Sequence, residues 1–288
     1  MKIVLFDYVC DPAKPGASGL SDIIWNMAFR LRDLGDEVHI VGPYTTGEYP
    51  DQAISVHRFA IPPLGYRNIY GHLLIVLAGW REVRRLGKID LIHTQEYLSS
   101  GLLSLLSRDV PVILTVPGNV YAHRQRLGRP YLDNLADPVL MVAACISAKR
   151  CARIIATTSD EKWWWEHIGT PEERIHVIPH GVDTELFRPV PGARHRLGIR
   201  EDARVVLYVG RLLIYYQGLD YLIRAIAELR SQVPEVQLHM IGSGPDRDNL
   251  ARLAVETGCQ DSVIFHDWVE PTELPFVLLS CGYHGAIF

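Results

Sequence analysis

A chain of 288 residues, 48% hydrophobic and 22% charged, has enough material for two domains with buried cores. Its formal charge of -4 gives no global reason to expect a nucleic-acid partner, and its longest unbroken apolar runs, at 73–79 and 139–146, fall far below the roughly 20 residues a spanning helix needs. Cysteines without zinc or C-x-x-C spacing, and an N-terminal apolar run too short for a signal peptide, lead to the expectation of a cytoplasmic protein with reduced thiols and no metal centre.

The elements follow in order. "KIVLF" reads as a strand, a helical period runs over 20–34, and "EVHIV" after Gly35 completes a βαβ opening. The alternation continues through "DLIHT" from Asp90, "PVILTV" from Pro111, "RIIATT" from Arg153 and "RIHVIP" from Arg174, with helical patterns between most of them. Such alternation predicts a parallel, doubly wound α/β sheet. Thr170, Pro171, Glu172 and Glu173 should cap and start a short helix before the strand at 175. The consecutive Trp163, Trp164 and Trp165 span too wide a helical arc to face one core, so one ring should meet solvent or a cleft. After a turn-rich junction the pattern restarts with "RVVLYVG", a helix over 218–232, "VQLHMIG", a helix over 246–257 and "SVIF". The sequence thus divides into a first domain over 1–185 and a second over 186–288.

Ligands of such sheets sit at the carboxyl ends of strands, where helix N-termini offer N–H groups to anions. After the first strand, Gly16 and Gly19 let the backbone approach a ligand just before a helix, or simply serve a flexible loop. Their G-x-x-G spacing lacks the dinucleotide fingerprint G-x-G-x-x-G, which disfavours an NAD-dependent dehydrogenase. At the end of the second domain's first strand, Gly210 gives room and Arg211 supplies a permanently charged, forked donor suited to phosphate, an interdomain salt bridge being its alternative. The next strand ends in Gly242, Ser243 and Gly244, with Pro245 expected to open a helix. Two such sites on adjacent strands suit a diphosphate. Asp246, Arg247 and Asp248 spell a D-x-D, but a place in a helix's first turn points to dipole complementarity rather than to a metal. His93 and Glu96, at the end of an N-domain strand, are cleft candidates, with core or surface roles equally open.

The segment "IHVIPHGVDTELFRP" resembles I-x-V-I-P-N-G-V-D-x-x-x-F-x-P, the interdomain junction of retaining, GT-B-fold glycosyltransferases of family 4, also called group 1. "VGRL" with "QGLDYLIRAIAEL", then "LHMIGSGPDRDNLARLA" and "VIFHDWVEPTELP", follow in that family's order, and "DLIHTQ" and "PVILTVPG" match its N-terminal part more loosely. The resemblance implies two Rossmann-like domains facing a cleft, with the acceptor on the first and the donor on the second. The implied reaction moves a sugar from a nucleotide-diphosphate sugar, a co-substrate rather than a resident cofactor, to a glycan, lipid or other hydroxyl acceptor with retention. Carried over, the resemblance puts Arg211 on the donor diphosphate as the catalytic residue, with Gly210, Gln217, Gly242, Ser243 and Gly244 around it and Trp268 and Val269 against the base. Gly16, Gly19, His93, Glu96 and Asn119 form the acceptor-side set.

Three departures qualify that reading. Gln217 stands where the family usually has a lysine, and a neutral amide stabilises a leaving diphosphate less. Pro117 stands where the family commonly has a histidine, whose role would be lost or pass to Asn119 or His123. The family continues past "ELP" with more strands and an E-x₇-E segment, whereas "FVLLSCGYHGAIF" contains no Asp or Glu. The expectation is a C-terminally truncated enzyme with an incomplete second domain. A non-catalytic nucleotide-binding remnant and a sugar-nucleotide epimerase are the competing readings. "YGHLLIVLAGWREVRRLGK" joins apolar to basic residues and suggests peripheral contact with the inner face of a membrane, a buried helix with a basic exit being its alternative.

Overall fold

The computed structural model describes residues 1–7, 19–43, 53–61, 69–116, 137–188, 194, 199–267, 269 and 273–275. The chain forms two compact units, Met1–Gly181 and Val182–Phe288.

In the first unit seven parallel strands, β1 (Lys2–Phe6), β2 (Glu37–Pro43), β3 (Ser55–Phe59), β4 (Leu91–Thr94), β5 (Val112–Thr115), β6 (Arg153–Ala156) and β7 (Ile175–Val177), lie in the order β3-β2-β1-β4-β5-β6-β7. Among the described residues five helices accompany them: α1 (Gly19–Asp33), α2 (Ile69–Arg85), α3 (Tyr97–Leu106), α4 (Asp137–Arg150) and α5 (Ser159–His167). The apolar runs of β1, β2 and β5 are those of strands covered on both faces, as a parallel sheet requires. One apolar cluster joins β1 and β2 to Ile24, Trp25 and Ala28 of α1, and a larger one joins the sheet to α2, α3, α4 and α5. Each fully buried aliphatic side chain in them contributes about 1.5–3 kcal/mol relative to exposure. Helices α3 and α4 approach so closely that a Cβ on Gly101 would lie 2.7 Å from the Ala143 carbonyl oxygen, and the Ser100 and Ser147 hydroxyls meet at 2.7 Å.

In the second unit β8 (Arg204–Val209), β9 (Val236–Ile241) and β10 (Val263–His266) form a parallel sheet in the order β10-β9-β8. Its helices among the described residues are α6 (Ile214–Gln217), α7 (Leu219–Leu229) and α8 (Arg247–Glu256). Leu219, Ile223 and Ile226, at i, i+4 and i+7, bury one face of α7 against β8 and β9. Val209 pairs with Ile241, and Ile241 with His266, so all three strands end level with one another.

Two local expectations change. The segment at 170–174 is a 3₁₀ turn, Glu172–Arg174, with Pro171 at its cap; the buried Thr170 hydroxyl does not cap it. Pro245 does not open α8, which starts at Arg247 with Asp246 as its N-cap residue. The tryptophan expectation holds: Trp164 and Trp165 are buried, while Trp163 is 44% exposed and stacks on His167.

Candidate functional site

The level ends of β8 and β9 bring two loops side by side. The Gly210 N–H donates to the Ile241 carbonyl at 3.0 Å, the Leu212 N–H to the Ser243 carbonyl at 3.0 Å, and the Asp246 N–H to the Leu212 carbonyl at 3.3 Å. A Cβ on Gly242 would lie 2.1 Å from the Gly210 carbonyl oxygen, and one on Gly244 would lie 2.2 Å from that of Leu212. Gly242 also has φ +130°, so no other residue fits there. These glycines therefore permit the backbone-to-backbone seam between the loops, whatever else they admit.

Asp246 completes the seam: its carboxylate accepts the Ile214 N–H at 2.9 Å and the Asn249 amide at 3.0 Å, which lowers its pKa. It holds the 211–214 segment in place rather than capping its own helix, which has no side-chain cap hydrogen bond. Helix α7 likewise starts without a side-chain cap, from Gly218 in the left-handed region at φ 62°. Two helix N-termini thus keep first-turn N–H groups that side chains do not cover, the arrangement that attracts oxyanions. Arg211 is exposed, its carbonyl accepts from the Tyr208 hydroxyl at 2.8 Å, and its guanidinium forms no ion pair among the described residues. Gln217 is exposed at the end of α6, directly before the first turn of α7. Ser243 is exposed on the seam, and half-buried Val269 packs beside Ile199, Ala203, Val205, Leu207 and Ile241. Gly210, Arg211, Gly242, Ser243 and Gly244 thus lie together at the carboxyl ends of β8 and β9, with Gln217 at the end of the short helix that follows; Trp268 lies outside the described residues.

In the first unit, strand order reverses between β1 and β4, and the crevice outside their carboxyl ends is where an open α/β sheet takes a ligand. Asp7 follows β1 and is buried; Gln95 and Glu96 follow β4. Glu96 is the N-cap of α3, accepting the Leu98 N–H at 2.7 Å and the Ser99 N–H as well. Burial pushes its carboxyl up to about 7 despite those hydrogen bonds, with the charge of Asp7 adding to the rise. Gln95 is buried and its Oε1 has no hydrogen-bond partner among the described residues. His93 is buried within β4 with Nε2 2.8 Å from the Thr115 hydroxyl, and burial lowers its pKa to about 4. Gly19 is the first residue of α1; Gly16, Asn119, Pro117 and His123 lie outside the described residues. Asp7 and Gln95 were not singled out in the sequence, because only the β1/β4 reversal places them beside Glu96.

Two α/β units with parallel sheets, one ending in a phosphate-suited loop pair, define the class: the fold is that of GT-B glycosyltransferases. Sucrose-phosphate synthase from Thermosynechococcus elongatus resembles it with a TM-score of 0.79 at 22% identity, over 96% of this chain and 73% of that one. HepE of Anabaena, solved in complex with UDP-glucose, does so with a TM-score of 0.69 at 21% identity, over 98% of this chain and 72% of that one. The family model for Glycosyltransferase Family 4 matches residues 17–186, that for Glycosyl transferases group 1 matches 191–283, and the chain belongs to this family. A D-inositol 3-phosphate glycosyltransferase of Thermobispora bispora is 30% identical over 280 residues. That alignment covers 88% of this chain and 64% of the relative, so the chain spans a little under two thirds of the relative's length.

Proposed function

We propose that the chain is a glycosyltransferase acting with retention, which takes a sugar from a nucleotide-diphosphate donor and places it on a hydroxyl of a glycan or lipid-linked acceptor. The observation that carries this reading is the seam at 210–214 and 242–246, where exposed Arg211 stands beside helix N-termini without side-chain caps. A diphosphate leaving group gains negative charge as its bond to the sugar breaks. A permanently charged guanidinium and helix N-termini stabilise that charge without a metal ion. Ser243 and the N–H groups around Gly244 would serve the second phosphate, and the segment at Trp268 and Val269 the base. On the acceptor side, Glu96 and Gln95 offer polar groups at the β1/β4 crevice, and Glu96 can carry a proton near neutral pH. HepE, solved with UDP-glucose, supports a nucleotide-sugar donor as the ligand class.

The test is a thermal-shift titration of the chain with UDP, GDP, ADP and their sugar conjugates, since a ligand that binds only the folded state raises its stability. One nucleotide diphosphate should give a saturable shift. Arg211→Ala should weaken its binding about tenfold to a hundredfold, the worth of charge-assisted hydrogen bonds lost with one guanidinium. A cooperative melt that no nucleotide shifts would sink the donor assignment. Binding without sugar transfer to any hydroxyl acceptor would leave the non-catalytic reading in its place.

A further inference from the structure

The amino ends of the last two strands of the first unit's sheet carry a concentration of positive charge. Lys149, Arg150, Cys151, Ala152, Arg153 and Arg174 line a depression of about 450 Å³ at the amino ends of β6 and β7. Each arginine is tied to a backbone carbonyl: Arg150 Nε donates to Ser104 at 3.1 Å, Arg153 Nη1 to Ala152 at 2.7 Å, and Arg174 Nη1 to Lys149 at 3.0 Å. A guanidinium has five N–H donors, so each keeps donors for a ligand once its position is fixed. None of the four cations forms an ion pair among the described residues, and the nearby Glu172 carboxylate is taken by Lys162 at 2.8 Å. The floor adds no negative charge, because burial pushes the Cys151 thiol up to about 12. The close α3–α4 packing at Gly101 sets the end of α4, and with it Lys149 and Arg150, against α3.

Complementing the negative end of α4's dipole accounts for Lys149 and Arg150. It does not account for Arg153, the first residue of β6, or Arg174, which closes the 3₁₀ turn before β7. In a chain whose formal charge is -4, unpaired cations from three separate segments around one depression are a local feature.

We propose that this depression is a binding site for a phosphate-bearing anion, built from residues other than those of the donor seam and set at the amino ends of the strands, whereas the β1/β4 crevice lies at their carboxyl ends. Its ligand class is a phosphomonoester or diphosphate, presented by a soluble compound or by a lipid headgroup.

The probe is inorganic pyrophosphate, titrated calorimetrically into the full chain, into an Arg153→Gln/Arg174→Gln pair and into Arg211→Ala, each checked for an unchanged cooperative melt. The expected result is a binding event that survives Arg211→Ala, weakens more than about tenfold in the double variant and falls with added salt. If the double variant does not melt cooperatively, Arg153→Lys/Arg174→Lys, which keeps the charge, must retain binding that single Arg153→Glu loses. Binding that is absent, lost wholly with Arg211→Ala or indifferent to Arg153 and Arg174 overturns the proposal. An additional event that Arg211→Ala alone removes belongs to the donor seam and leaves this site standing, whereas the absence of any Arg211-dependent event counts against the donor reading. Co-sedimentation with phosphatidylcholine vesicles containing phosphatidic acid distinguishes the source. Retention that the double variant abolishes identifies a lipid headgroup, and pyrophosphate binding without such retention identifies a soluble ligand.

Discussion

Gln217 and Glu96 each carry chemistry that a single substitution changes in a measurable direction. Gln217 is exposed and precedes the first turn of α7, so a longer side chain there meets solvent, not core. Gln217→Lys adds one charge beside the proposed diphosphate and should tighten nucleotide-diphosphate binding by about tenfold. Unchanged or weaker affinity by calorimetry would remove Gln217 from the site. Glu96 makes a pH-dependent prediction. Its folded-state pKa, about 7, is raised above the usual carboxylate value. Its favourable contribution is therefore complete below pH ~4.5 and is lost as pH rises through 7. The stability of Glu96→Gln relative to the parent should improve by on the order of 2 kcal/mol between pH 5 and pH 8, measured by urea unfolding. A constant difference across that range would show that Glu96 is ordinary. Arg211 and the glycines of the seam could be read from residue type and their position after strands. Asp246 could not, because its D-x-D setting says nothing of the Ile214 N–H that its carboxylate accepts.

Among the elements, α2 combines a packed face with an exposed one. Ile75, Val76 and Val83 are buried, while Tyr70, Leu74 and Leu77 are exposed and continue at i+3 and i+4 spacing into exposed Arg81 and Arg84. No helix among the described residues is long and apolar enough to cross a membrane. An apolar stripe leading into cations is instead the pattern of a helix that lies in a membrane interface. The chain should therefore co-sediment with vesicles rich in phosphatidylglycerol, and Leu74→Ser/Leu77→Ser should release it without lowering the melting temperature. Parent protein left in the supernatant at low salt would dispose of membrane contact through α2. The core face of this helix was legible from its apolar run. The exposed stripe was not, because sequence spacing cannot say which side of an apolar helix the sheet covers. Strand β3 escaped the sequence for a related reason. Its "SVHRF" is half polar, as suits a strand with β2 as its single neighbour, and its pairing with β2 supplies what its composition lacks.

At the scale of the molecule, parallel alternation and the junction motif made the α/β class and the family readable. What pattern could not give was which strand ends meet: the β3-β2-β1-β4 reversal and the level ends of β8, β9 and β10 come from register. Under the proposed function the two units take different ligands, and amide hydrogen exchange can test that division across the chain. A nucleotide diphosphate held by Arg211 would engage the uncapped first turns of α7 and α8 and hold the seam closed. Exchange should then slow over 210–222 and 242–250, because opening there requires the ligand to leave. Strands β1 to β7 gain no contact with the diphosphate in this scheme and should exchange at their unliganded rates. Protection confined to Met1–Gly181, for example around Gln95 and Glu96, would move the nucleotide to the β1/β4 crevice and overturn the division of donor and acceptor between the units.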